Sequence, residues 1–500
     1  MERARVAFFG LSVLAFSATA CTRRTAEPDD ARPLEVMVAN DPETLDPRYA
    51  TDAVGLRATR LIHAGLVRLD PDTLVPRPYL ASGWHFDDPS TLVVDLREDV
   101  RFHSGAALRS ADVVATLRAF ASPKVASRHA RVVEAIADAR AEGDHRVVVR
   151  LARPHATLLT DLELPIMRAD QAEAPPAPDG SLDGLGPFQV ARVERGDVLL
   201  IPAAGGPLPR PAHAVVLRTV HDENARALRL EAGRADVALN VVSPMLLPAL
   251  LRDPSLGVSA RPGANLTYVV VQHERAPLGD PRVRRAISMA IDRETITRTL
   301  FAGRAQPAGG LLSPANWAHA PMSLLPFDVS AARAMLEQAG AAGSRLTLLT
   351  STDRLRGDVA RFISQELEDA GLRVTVVPLE LGTMIARLNA GDFDIATLTI
   401  PEVTEPNVLR HFLHGAFVPP AGANRGRIRD AELDALLDAG DTTPDPDARR
   451  AIYARVEVLD RERMHLIPLF YEDQVAVTSA RARSFVPSAE GRWLSLAAVP

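Results

Sequence analysis

Along this chain the apolar residues follow two periods, and the period changes at turn-forming residues. Leu34-Glu35-Val36-Met37-Val38 alternates as a strand does, and Asp46-Pro47 breaks it. From Val54 to Leu66 the spacing is helical, with Leu56, Leu61 and Ile62 recurring, and the pattern ends near Gly65. Trp84-His85-Phe86 and Thr91–Leu96 flank Asp87-Asp88-Pro89-Ser90, which predicts a β-hairpin within 84–103. Ser110 is the expected N-cap of the helix that opens Ala111-Asp112-Val113-Val114. A strand is expected over Arg146–Leu151, after Gly143-Asp144. Residues 172–187 are rich in Pro, Gly and Ala and mark a subdomain border.

The second half is more regular. Asp280-Pro281 supplies an N-cap and a proline at the first helical position, with the helix running through Met289. Asp292 caps a helix that stops at Gly303, and Asp328 caps another over Val329–Ala339, closed by Gly340. Then come strand Leu346–Leu349, helix Val359–Ala370, strand Arg373–Val377, helix Thr383–Ala390 and strand Phe393–Leu398. That alternation predicts a parallel or mixed sheet with helices on its faces. Ligands of such sheets sit at the carboxyl ends of strands, so Phe393–Leu398 and the loop after it are the first place to look.

Length adds that one core is not enough. Single cores stop growing near roughly 250–300 residues, and this chain has 500, so at least two lobes are expected. A net charge of −6 without a basic stripe argues against nucleic acid as a partner. Lys124 is the only lysine, and it lies in Ser122-Pro123-Lys124-Val125. A phosphate-binding P-loop with its lysine is therefore absent. HExxH, CxxC and GxSxG are missing too, and no nucleophile, base and orienting group can be assembled from spacing.

The amino terminus reads as an export signal over residues 1–20, with Arg3 and Arg5 before the 11-residue apolar run Val6–Phe16. Ala18-Thr19-Ala20-Cys21 follows, and Cys21 is the only cysteine. Small residues before a lone cysteine predict cleavage and lipidation at Cys21, with residues 21–33 as a flexible tether. Plain A-x-A cleavage to a soluble secreted protein is the alternative. No later stretch is apolar for long enough to span a bilayer.

An ordered series of motifs then resembles one family. Glu43-Thr44-Leu45-Asp46-Pro47, Pro78-Tyr79-Leu80-Ala81, Phe102-His103-Ser104-Gly105 with Ser110-Ala111-Asp112-Val113-Val114, and Gly184-Leu185-Gly186-Pro187-Phe188 occur in family order. Asp280-Pro281-Arg282-Val283-Arg284-Arg285-Ala286-Ile287-Ser288-Met289-Ala290-Ile291-Asp292-Arg293-Glu294 is the longest match. From Leu34 onward the chain resembles the bacterial extracellular solute-binding proteins of family 5, the dipeptide-, oligopeptide- and nickel-binding type. The resemblance implies a periplasmic-binding-protein-like α/β fold: two lobes with a hinge and a smaller subdomain inserted in the first. On that pattern lobe one is 34–64, 186–272 and 473–500, the insert 65–185 and lobe two 273–472. It also implies a non-enzymatic monomer in the periplasm or cell envelope. Such a protein traps a small ligand between its lobes and passes it to an ABC permease and its ATPase. Peptide is the leading ligand class. Opines, sugars, heme and nickel chelates, or a sensor or scaffold role, are the alternatives, and no cofactor is implied.

In peptide-binding members of that family an acidic residue after a strand of lobe two pairs with the peptide amine, in a segment like W-x-x-D-Y-x-x-P. The corresponding stretch Thr399-Ile400-Pro401-Glu402-Val403-Thr404-Glu405-Pro406 puts Glu402 at the carboxylate and Thr399 at the tryptophan, with Glu405 as the fallback. Asn316 and Trp317 fall where the family crosses the cleft, and Phe470-Tyr471 near its return crossing. Arg48-Tyr49 follow the first strand and complete the candidate lining. His411 and His414 stand three apart on an expected helix; without a third ligand they are read as helix surface and no metal site is assigned.

Overall fold

The computed structural model describes residues 32–500; the export signal, Cys21 and nearly all of the tether lie outside the described residues. Leu34–Val38 is buried at all five positions because it lies inside a seven-stranded mixed sheet. It runs parallel to Val215–Thr219 on one side and to Val237–Leu239 on the other. Leu34, Val36 and Val38 face one core layer with Phe188, Phe485 and Trp493, while Met37 faces another with Leu230 and Val477. Helix Ala53–Ile62 packs on the first of these layers and is capped by Asp52, which accepts from the Gly55 N–H.

The second sheet has six strands, in the order Ala305–Pro307, Leu466–Glu472, Leu266–Val271, Ile395–Ile400, Arg345–Ser351 and Arg373–Leu379. The β-α-β-α-β expectation is met: Arg345–Ser351 is parallel to both Arg373–Leu379 and Ile395–Ile400. Val269 and Val271 face one apolar layer, and Tyr268 and Val270 the opposite one. Both faces are therefore covered, as near-continuous apolar strands require. Leu266–Val271, which the expected boundary at residue 272 leaves in lobe one, is hydrogen-bonded in this second sheet. Among the described residues the chain thus crosses between these two sheets at two places, residues 262–265 and around Asp473.

A four-stranded antiparallel sheet, in the order Ala81–Asp88, Thr91–Leu96, Arg146–Leu151 and Ile136–Ala141, carries the inserted segment. The opening motif anchors this insert. Arg48 is fully buried, pairs with Asp46 at 2.6 Å and donates to the carbonyls of Ala172, Ala174 and Pro175. Asp46 also accepts from the Ala177 N–H at 3.0 Å. The motif thus clasps the Pro-rich border segment. Lys124 lies on the insert surface, 77% exposed and 3.5 Å from Glu173.

Three expectations change in detail. Ser110 is the first residue inside helix Ser110–Ala121, and its hydroxyl bonds to the Gly143 carbonyl. The cap is Arg109, whose N–H is held by Asp112 at 2.8 Å. Helix Arg354–Asp369 starts five residues early because Asp353 caps it. His411 lies in the short helix Val408–Leu413, but His414 is past its end, where its ring accepts from the Ala416 N–H.

Lobe two also buries carboxylates. Glu366 accepts from the Asp292 N–H at 3.1 Å, and burial pushes its carboxyl up to about 8. Burial likewise moves Glu457 and Asp460 up to about 7. Carboxyls raised on folding stabilise the native state most below their unfolded values, and that stability drains away as pH rises through the folded ones. Buried His63 and His273, pushed down to about 3, act in the opposite sense up to about pH 6.5, so denaturant unfolding should show stability falling from about pH 6.5 to pH 8. Glu366→Gln should flatten the slope by up to about 1.4 kcal/mol per pH unit, the equivalent of one proton.

Candidate functional site

Strand Ile395–Ile400 ends at the side of lobe two that faces the crossings, and Pro401 stops it. Glu402 follows with φ at +46°, a left-handed backbone that a residue with a Cβ adopts at a cost of about 1–2 kcal/mol. Hydrogen bonds impose it. The Glu402 N–H donates to Asn265 Oδ1 at 2.9 Å, the Val403 N–H to the Ala264 carbonyl at 2.7 Å, and Asn316 Nδ2 to the Val403 carbonyl at 2.8 Å. Ala264 in turn donates to the Ala489 carbonyl at 2.9 Å, tying this turn to the C-terminal segment of lobe one.

The carboxylate of Glu402 makes no hydrogen bond or ion pair with any described residue, although its side chain is largely enclosed. Burial pushes its carboxyl up, against the pull of Arg57 and Arg60 on helix Ala53–Ile62. Around it stands a group of enclosed charges from lobe one and the insert. Arg60 donates to the Glu163 carbonyl at 3.1 Å and pairs with its carboxylate at 3.0 Å; Arg492 pairs with Glu163 as well and lies 3.7 Å from Glu490. Burial and the nearby Glu402 raise Glu490 to about 7.

The rim of the cleft is closed by direct contact. Glu405 pairs with Arg449, accepts from Trp317 Nε1 at 3.3 Å and, across the rim, from the Thr160 hydroxyl of the insert at 3.4 Å. The Arg449 guanidinium lies 5.0 Å from the Trp317 ring centroid and reaches the Ala156 carbonyl. Beside it the Ala156 N–H donates to the Asp441 carbonyl at 3.1 Å, and Arg153 meets the Asp441 carboxylate at 3.3 Å.

The structure thus brings Glu402, Asn316 and Trp317 together, with different roles. Asn316 is 3% exposed and its amide is consumed by the backbone of the Glu402 turn. Thr399 sits beside them: its hydroxyl meets that of Thr267 at 2.9 Å, which bonds Glu472, itself paired with Arg356 at 2.6 Å. Tyr471 lies in the lobe-two core with its hydroxyl on the Gly310 carbonyl, and Phe470 packs on Phe301. Tyr49 packs against the insert core and donates to the Val125 carbonyl at 2.8 Å. Arg57, Arg60, Glu490 and Arg492 are the residues that sequence reasoning missed. The one signal was a pair of arginines three apart on a mostly apolar helix.

The model of the bacterial extracellular solute-binding proteins, family 5, matches residues 75–414. The probable di/tripeptide-binding protein 5 of Pseudomonas aeruginosa is 27% identical, over 96% of this chain and 98% of that one. The glutathione-binding protein GsiB of Salmonella typhi is 26% identical over 91% and 92%. The fold matches the ABC transporter substrate-binding protein CtaP of Listeria monocytogenes with a TM-score of 0.83, at 21% identity over 93% of this chain and 99% of that one. With the family model spanning most of the folded body, the chain belongs to the bacterial extracellular solute-binding proteins of family 5, and it is a binding protein rather than an enzyme.

Proposed function

We propose that this protein captures small peptides with a free amine in the cleft between its lobes, with Glu402 as the amine receptor. As a family-5 solute-binding protein it serves an ABC importer as the extracytoplasmic capture subunit. The observation that carries the ligand class is the Glu402 carboxylate, unpaired, largely enclosed and pinned in a left-handed turn at the cleft. An enclosed carboxylate without a partner favours a cation delivered with its own hydrogen bonds, and a primary ammonium supplies three donors. Two relatives are named for di/tripeptides and for glutathione, all of which carry such an amine. Thr399 and Trp317 flank the approach, Asn316 fixes the turn, and Tyr471 and Tyr49 belong to the framework.

Closure over the ligand uses the rim contacts of Glu405, Arg449 and Asp441 with the insert, and the two crossings serve as the hinge. The body is tethered to the membrane by acylation of Cys21, which keeps it beside the permease.

Glu402→Gln should weaken binding of a free-amine dipeptide or tripeptide by about 10- to 100-fold in calorimetry, the loss of one charge-assisted bond of about 1.5–3 kcal/mol. The N-acetylated peptide should bind the variant and the wild type equally poorly; peptide affinity indifferent to Glu402 would sink the assignment.

Arg153→Ala removes an exposed-to-buried pair worth at most about 1 kcal/mol, so affinity should fall about two- to fivefold. Solution scattering should then show a larger radius of gyration without ligand; an unchanged profile and affinity would mean that the rim contact does not hold the cleft shut.

Cys21→Ser should move the protein from the membrane fraction to the soluble fraction and abolish incorporation of labelled fatty acid. Persistence of the label would place the anchor elsewhere.

A further inference from the structure

Among the described residues, the charges around Glu402 include a cation without an ion-pair partner. Arg60 and Arg492 are both spent on Glu163, with Glu490 beside Arg492. Arg57, one helical turn from Arg60, makes no hydrogen bond or ion pair with any described residue. Its Nε is shut off from solvent without a partner, and the guanidinium lies over the Trp493 ring, 5.8 Å from the centroid. Room for it is kept by Gly491: a Cβ there would come within 3.1 Å of an Arg57 nitrogen and 2.5 Å of Gln474 Oε1. At φ +77° this is also a backbone that favours glycine.

The carboxylate of Glu402 is likewise without a partner among the described residues. The hydrogen bonds from Val403 to Ala264 and from Ala264 to Ala489 set the Glu402 turn beside the segment Ala489–Trp493 on which Arg57 rests. Arg57 and Glu402 are close enough for each to act on the other's charge, yet they form no ion pair. Two enclosed opposite charges with no ion pair between them are each costly without a partner, and a molecule carrying both signs would satisfy both.

We propose that Arg57 receives a carboxylate of the ligand, so that the cleft selects short zwitterions whose carboxylate lies near the amine held by Glu402. This rests on the amine-receptor reading and adds a residue of lobe one to it. Ligand then bridges the lobes through its two charges, amine to lobe two and carboxylate to lobe one. A guanidinium presents paired donors to a carboxylate, so an amide in its place loses both the charge and the fork.

The test is calorimetry with dialanine, trialanine and their C-terminal amides on wild type, Arg57→Gln and Arg57→Lys, with melting temperature as the folding control. In the wild type at least one free acid should bind tenfold or more tighter than its amide. Arg57→Gln should bring that ratio close to one, and Arg57→Lys, which keeps the charge without the fork, should retain part of it. The proposal is overturned if acid and amide bind the wild type alike, or if Arg57→Gln, or Arg57→Lys should Gln fail to fold, keeps the full preference. N-acetylated dialanine separates the two readings. If it binds like the free amine while the acid preference depends on Arg57, the Glu402 assignment falls and Arg57 stands. If no probe binds the wild type, both fall.

Discussion

Among the described residues two backbone crossings join the two large sheets, one at residues 262–265 and one around Asp473, and the rest of the arrangement depends on their lying side by side. At the first crossing Ala264 donates to one lobe and accepts from the other, so the loop after strand Ile395–Ile400 is placed by the hinge itself. Glu402 has its position and its left-handed backbone for that reason. Everything else that holds the lobes together is non-covalent, concentrated at the rim and in the enclosed charges. A body with two adjacent strand crossings and a separable far rim has the geometry of hinge closure.

Arginine does much of the internal fastening. Arg48, Arg226, Arg284 and Arg293 are all buried, and each donates to several main-chain carbonyls. Multiple hydrogen bonds offset the loss of water, and a planar fork suits carbonyls that converge from a loop. Arg284 and Arg293 both come from the longest family-like motif, so that motif is largely a device for fastening Met464 and Pro468 to the helices over the sheet. Likewise the opening motif clasps the insert border. Motifs of this kind mark architecture, and the proposed ligand-facing residues lie between them.

Local rules made much of the fold readable. Asp280, Asp292 and Asp328 cap helices because a carboxylate beside free N–H groups is a local matter, and the alternation after residue 340 reflects strands covered on both faces. The same covering explains why Tyr471 could not be placed by position alone. Neighbouring residues of a strand buried on both sides point to opposite cores, so closeness to a crossing says little about facing the cleft. Ser110 lost the cap because the side chain at Asp112 reached the Arg109 N–H first. The charge cluster was hidden for another reason: Arg57, Glu163, Glu402 and Arg492 are far apart in the chain, and no local pattern reports which arginines end up paired.

Lys124 has a practical meaning beyond composition. It is the single lysine, and it stands exposed on the insert surface, paired only with exposed Glu173. An amine-directed reagent therefore finds one side chain, on the subdomain that meets lobe two at the rim. A dye attached there rides on the insert and touches none of the fastening arginines, so the protein carries a natural handle for surface coupling or for an optical reporter on that subdomain.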